Sequence, residues 1–125
     1  MISDSDIRRP TGQIYEQTNG IVKFEPTKKL DFELEMGTVI GGSLPIGETL
    51  DFEEAENLIF GYVLLNDWSA RDIQAWEYQP LGPFLSKSFG TSISPWIVSP
   101  EALEPFKTTP PERDFQLLPH FEDDK

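Results

Sequence analysis

The chain has 125 residues, of which 38% are hydrophobic and 26% charged, with no cysteine and a formal net charge of −12. That is enough for one ordinary domain and too little for two. The acidity argues against a nucleic-acid partner or an anionic membrane surface. The missing cysteines exclude a disulfide scaffold and thiolate metal sites, and suit a reducing, cytoplasmic setting. No apolar stretch reaches the roughly 20 residues of a membrane helix, and the acidic start Met1–Asp6 is unlike a signal peptide.

Residues 1–29 read as irregular, with turn signals at Arg8–Gln13 and at Thr18–Asn19–Gly20. Arg8 and Arg9 are either solvated loop residues or a small anion site. From Leu30 the pattern changes: Leu30, Phe32, Leu34 and Met36 alternate with Asp31, Glu33 and Glu35. Period two predicts a half-buried strand whose second face is three carboxylates. Same-face neighbours lie about 7 Å apart, so these charges repel. Either Lys28 and Lys29 or a divalent cation would relieve them.

Asp51 opens a predicted helix over Phe52–Asn57, with Glu54 in capping-box position. Ile59–Leu65 is almost wholly apolar and is expected to be a strand covered on both faces, closed by Asn66–Asp67. A helix from Ser69 or Ala70 to about Tyr78 follows, with Ser69 as N-cap and Asp72 in the box. On it Arg71, Gln74 and Tyr78 fall at i, i+3 and i+7, one stripe of one face, between Trp68 and Trp76. Pro80–Leu81–Gly82–Pro83 makes a stiff connection, Ile93–Val98 reads as a strand with a bulge or edge at Pro95, and Ser99–Pro100 starts a single helical turn. Beyond Glu104 the chain is rich in proline and charge down to Glu122–Lys125, with no terminating element, so the natural polypeptide is expected to continue.

Glu33, Glu35 and Asp67 form an all-oxygen set suited to Mg²⁺ or Ca²⁺ and not to zinc. Such an ion polarises a carbonyl and stabilises an enolate. Arg71, Gln74 and Lys87 would add donors facing developing negative charge, and Tyr78 would orient a substrate oxygen. The set suits C–C hydrolysis of a diketone, decarboxylation of an oxo-acid, or enol–keto isomerisation. The plainer alternative is an Asp67 that only pairs with Arg71. Ser69 lacks the Gly-x-Ser-x-Gly setting of a nucleophile, and His120, the one histidine, sits in the tail and is not expected to be the base.

The blocks Asn66–Gln74, Trp76–Tyr78, Pro80–Leu85 and Lys87–Thr91, with Asp31–Met36 and Arg8–Gln13 upstream, resemble the fumarylacetoacetate hydrolase family over residues 7–107. The resemblance implies an α+β fold, a strand-rich mixed β-roll or sandwich with a few short helices, incomplete in this chain. Residues 1–125 would be an internal part of the C-terminal catalytic domain. It implies a metal-dependent hydrolase acting on a C–C bond of a β-diketone, 4-fumarylacetoacetate to fumarate and acetoacetate, in tyrosine and phenylalanine breakdown. Glu33, Glu35 and Asp67 would be ligands of Ca²⁺ or Mg²⁺, and Asp67, Lys87 and Thr91 would belong to a second, Mg²⁺ position. Gln74 and Tyr78 would touch substrate, while Arg71, Gln74 and Lys87 would form the oxyanion pocket. A homodimer and a small diketo acid substrate are further implications.

The family's histidine base and a further aspartate ligand fall before Arg8, and a glutamate and a threonine fall downstream, so these residues alone are expected to be inactive. Ser86 stands where the family has glycine. Trp68 and the Pro80–Phe84 block set the chain apart from acylpyruvate hydrolases and oxaloacetate decarboxylases, the nearest alternative. A non-catalytic divalent-metal module is the other.

Overall fold

The computed structural model describes residues 1–122, so the acidic end at residues 123–125 lies outside the described residues. The chain is α+β and strand-rich, and divides into two units: Met1–Gly37 with Val63–Ile97, and Thr38–Tyr62 with Val98–Lys125.

The start of the first unit is not irregular. Thr11–Glu16 (β1) and Ile21–Pro26 (β2) form an antiparallel hairpin, in register from Thr11↔Pro26 to Glu16↔Ile21. Its turn is built by Asn19 and Gly20: Gly20 takes φ 70 and donates its N–H to the Glu16 carbonyl at 2.9 Å, while the Asn19 side-chain oxygen accepts the Ile21 N–H at 3.1 Å. The turn is legible in the sequence, but the apolar residues Ile14–Tyr15 and Ile21–Val22 are adjacent, so the strands show no clean alternation. The hairpin packs against the helix Arg71–Glu77 (α2). A Cβ added at Gly12 would lie 2.7 Å from Ile73 Cγ2, so the absent side chain is what allows the approach. Tyr15 stacks on Trp76 with ring centroids 6.0 Å apart, and Trp76 Nε1 donates to Gln13 Oε1 at 3.1 Å.

The strand expected over Leu30–Met36 is interrupted. Leu30–Asp31 (β3) pairs with Ser69–Ala70 (β6), whereas Leu34–Ile40 (β4) joins Ile59–Asp67 (β5) and Thr91–Ile93 (β7) in a sheet of order β4-β5-β7. At the switch, Asp31 Oδ1 accepts the Phe32 N–H at 2.9 Å and Asn66 Oδ1 accepts the Glu33 N–H at 3.2 Å, so side chains replace the lost ladder bonds. The apolar face is not half-buried either: Leu34 is 72% and Met36 65% exposed. In β5 only one face is covered, with Gly61 and Val63 buried and Phe60 and Leu64 exposed. The last strand covers only Ile93 of the expected Ile93–Val98 run: Pro95 has no N–H, Ser94 Oγ accepts the Trp96 N–H at 3.1 Å, and Val98 pairs again only as an isolated bridge to Tyr62.

Helix α2 begins at Arg71, and Ser69 is not its cap. Ser69 is buried in β6 and donates its hydroxyl to the Asp67 carbonyl at 3.1 Å. The first-turn donors of α2 are met otherwise. The Arg71 N–H reaches the Lys29 carbonyl at 2.9 Å, and the Ile73 N–H reaches Asp72 Oδ1 at 3.0 Å. Asp72 also accepts from the Thr27 hydroxyl and, at 2.7 Å, from the Lys28 N–H, tying the β2–β3 connection to the helix. Partial burial pushes the Asp72 carboxyl up, but these bonds outweigh it and hold it below its usual range.

In the second unit, Phe52–Asn57 (α1) forms as expected, with both capping-box bonds between Asp51 and Glu54. Pro100–Leu103 (α3) starts at Ser99, and short 3-10 turns at Glu104–Phe106 and Pro119–Phe121 punctuate the Pro-rich tail. No helix of the described residues is long and apolar enough to cross a membrane.

Gly12→Ala is expected to destabilise the first unit by about 1–3 kcal/mol in urea unfolding, because Ile73 is fully buried and must shift; trimming that side chain with Ile73→Val should recover part of the loss. Asp72 has a lowered folded pKa, so its contribution is complete above the unfolded value of about 3.9 and is lost as pH falls through the folded one. Thermal unfolding of Asp72→Asn should accordingly differ from the parent most above about pH 5 and least in strong acid.

Candidate functional site

The carboxylates come together through a strand pairing. Glu33 precedes β4, Glu35 lies on it, and Asp67 ends β5; the Asp67 N–H donates to the Glu33 carbonyl at 3.1 Å. One oxygen from each of Glu33, Glu35 and Asp67 lies within 4.8 Å of the others, with Glu33 and Asp67 half-buried and Glu35 exposed. Thr91 sits directly opposite Asp67 in the β5–β7 ladder, which puts the two side chains on the same face of the sheet.

Asp31, the third carboxylate of the alternation, does not join this set. It accepts from Arg71 Nε at 2.8 Å, while Arg71 Nη1 donates to Glu33 Oε1 at 2.8 Å and to Gln74 Oε1 at 3.0 Å. Lys87 Nζ donates to Glu33 Oε2 and, at 3.1 Å, to Asp67 Oδ2. The counter-cations are thus Arg71 and Lys87, brought in by the tertiary fold, and not Lys28, which bonds Glu25 at 2.5 Å. Nor does Arg71 pair with Asp67, four residues before it, since the guanidinium faces β3 instead.

These contacts set the charge states. The Lys87 and Arg71 donors hold the Glu33 carboxyl below its usual range, and Arg71 with the Phe32 N–H does the same for Asp31. Burial pushes the Lys87 ammonium down, but Glu33 and Asp67 more than reverse this and raise it. Four carboxylates facing two cations leave a formal surplus of two negative charges, the charge of one divalent ion. The donors are all oxygen, so the residues present fit Mg²⁺ or Ca²⁺.

The helical stripe is realised over its first turn only. Arg71 and Gln74 are bonded to each other, which leaves the Gln74 NH₂ as a donor, whereas Tyr78 caps the C-terminus of α2 with its ring half exposed. Trp68 Nε1 donates to Ser92 Oγ at 2.9 Å, tying Asp67's neighbour to β7. Arg9 donates through Nε to the Thr27 carbonyl at 2.6 Å and holds the hairpin base. His120 belongs to the second unit. Glu77 carries no site signal in the sequence, and Ser86 only its place where the family has glycine. Glu77 Oε1 accepts from the N–H groups of Phe84 and Ser86, both at 2.7 Å, and from the Ser86 hydroxyl at 2.5 Å. Burial pushes the Glu77 carboxyl up, but the Ser86, Phe84 and Leu85 donors hold it below its usual range.

Residues 1–114 match the family profile described as Fumarylacetoacetate (FAA) hydrolase C-terminal. The chain is 58% identical over 120 residues to the fumarylacetoacetase of Arabidopsis thaliana, covering 96% of this chain and 28% of that protein. It is 52% identical over 125 residues to the fumarylacetoacetase of Dictyostelium discoideum, covering 98% of this chain and 29% of the relative. With the fumarylacetoacetase of Homo sapiens it shares 48% identity over 120 residues, 96% of this chain and 29% of the relative. The chain therefore spans less than a third of the length of these curated relatives. By these matches the chain belongs to the fumarylacetoacetate hydrolase family, in the region of its C-terminal domain.

Proposed function

We propose that this chain supplies part of the active site of a metal-dependent hydrolase that cleaves 4-fumarylacetoacetate to fumarate and acetoacetate, a step of tyrosine and phenylalanine breakdown. In this reading residues 1–125 are part of a C-terminal catalytic domain. The exposed apolar side chains of Leu34, Met36 and Leu64 support that placement, since they are surfaces made to be covered. A small diketo acid substrate, a homodimer and a cytoplasmic location, which the absence of cysteine suits, complete the proposal.

The observation that carries it is the convergence of Glu33, Glu35 and Asp67 beside Arg71, Gln74 and Lys87. Mg²⁺ or Ca²⁺ held by the three carboxylates would supply Lewis-acid polarisation of the diketone. Arg71, the Gln74 amide and Lys87 donate hydrogen bonds to the negative charge that develops on the attacked carbonyl oxygen. An ammonium has no lone pair, so Lys87 would act as a hydrogen-bond donor even if Asp67 and Thr91 held a second Mg²⁺. Water adds its hydroxyl to the carbonyl carbon, the C–C bond breaks with its electron pair leaving on the acetoacetate carbon, and that carbon takes the proton. Tyr78 orients a substrate oxygen. The base that accepts the water proton is assigned to residues outside this chain.

The test uses the full-length gene product that carries this chain. Glu35→Gln and Asp67→Asn should each weaken Ca²⁺ binding by more than about tenfold, or 1.4 kcal/mol, in calorimetric titration. Lys87→Met should lower kcat by about 100- to 1,000-fold, read as loss of diketone absorbance. Turnover of acylpyruvates with fumarylacetoacetate untouched, or full activity in EDTA, would defeat the assignment.

A further inference from the structure

We propose that Glu77 is a positioning residue for Lys87, acting through Ser86, and that it sets the spacing between the two groups of oxyanion donors. This rests on the role given above to Lys87. Arg71 and Gln74 lie on α2, whereas Lys87 lies on the loop that follows it, so no element of secondary structure fixes one against the other. Glu77, the last residue of α2, makes that connection. One of its carboxylate oxygens accepts the N–H groups of Phe84 and Ser86 and the Ser86 hydroxyl, at 2.7, 2.7 and 2.5 Å.

Ser86 is fully buried and held from its other side as well, its carbonyl accepting the Ala70 N–H at 2.9 Å. The Lys87 N–H then closes onto the Phe84 carbonyl at 3.1 Å. The residue before Lys87 is therefore pinned to the end of α2 through its N–H and hydroxyl, and to β6 through its C=O. From that fixed root the Lys87 side chain reaches Glu33 and Asp67. A serine at this position adds a third bond to Glu77 that a glycine lacks, and the fold has room for it, since the hydroxyl is the donor of that bond. Charge-assisted hydrogen bonds are roughly twice as strong as neutral ones, so a carboxylate holding three donors is a firm joint between the end of α2 and the loop.

A double-mutant cycle in the full-length gene product tests this. Glu77→Ala should lower kcat by about 10- to 100-fold with a smaller change in KM, since donors displaced by a fraction of an ångström act on the transition state. Glu77→Gln, which keeps a carbonyl acceptor, should restore most of the rate. In a Lys87→Met background, Glu77→Ala should have almost no further effect on kcat. The same fold-loss in both backgrounds would make Glu77 merely structural and overturn the proposal. Should Glu77→Ala not fold, Ser86→Ala removes only the hydroxyl bond and should show the same dependence on Lys87. A readout independent of the reaction separates failure here from failure of the proposed function. The Lys87 ammonium resonance in ¹⁵N-lysine-labelled protein should shift or broaden on Glu77→Ala, and an unchanged resonance would sink the positioning role whatever the substrate.

Discussion

Glu33 stands between two cations, and the site depends on that arrangement. One of its oxygens takes Arg71 from helix α2 and the other takes Lys87 from the loop behind it. Without those partners, three carboxylate oxygens within 4.8 Å would repel one another and spread the strand ends that carry them. With them, the cluster keeps a formal surplus of negative charge beside two cationic donors. The same side chains thus hold the strand ends together and, in the proposed function, would serve the chemistry.

Such a pairing needs both cations delivered accurately, and the first unit is largely a device for doing so. The hairpin β1–β2 approaches α2 where Gly12 leaves room for Ile73, and the Tyr15–Trp76 stack sets its rotation. Asp72 ties the start of α2 to the β2–β3 connection, and the Arg71 backbone bonds to Lys29 next to it. Arg71 is in this way carried to Asp31 and Glu33 by main-chain bonds as well as by its own charge. At the far end Glu77 does the equivalent for Lys87. Asp72 and Glu77, two acids on one short helix and outside the carboxylate cluster, anchor the segments that bring Arg71 and Lys87 to it.

The apolar alternation at residues 30–36 has a different lesson. Period two correctly brings Glu33 and Glu35 together, but not Asp31, which lies in β3 and pairs with Arg71. It does not say whether the apolar face is covered within the chain, and Leu34 and Met36 are not. Nor does it reveal that the ladder changes partners at Phe32–Glu33, because that switch is made by Asp31 and Asn66 side chains standing in for strand bonds. The hairpin at the start is hidden for a different reason: its apolar residues Ile14–Tyr15 and Ile21–Val22 are adjacent and do not alternate, and only its Asn19–Gly20 turn leaves a mark in the sequence.

What the sequence by itself determined is local chemistry: the carboxylate face, the Asp67 that ends an apolar run, the Arg71–Gln74 turn, and the capped helix at Phe52–Asn57. Each follows from spacing of a few residues, where backbone geometry dictates which side chains meet. Only the tertiary structure decided that Asp31 belongs to Arg71, that Lys87 spans Glu33 and Asp67, and that Ser69 is a buried strand residue and not a cap. Those contacts join residues 20 to 54 positions apart. Opposite charges at such separations have many possible partners, and it is the folding of β-ladders and the helix, through main-chain hydrogen bonds, that selects one.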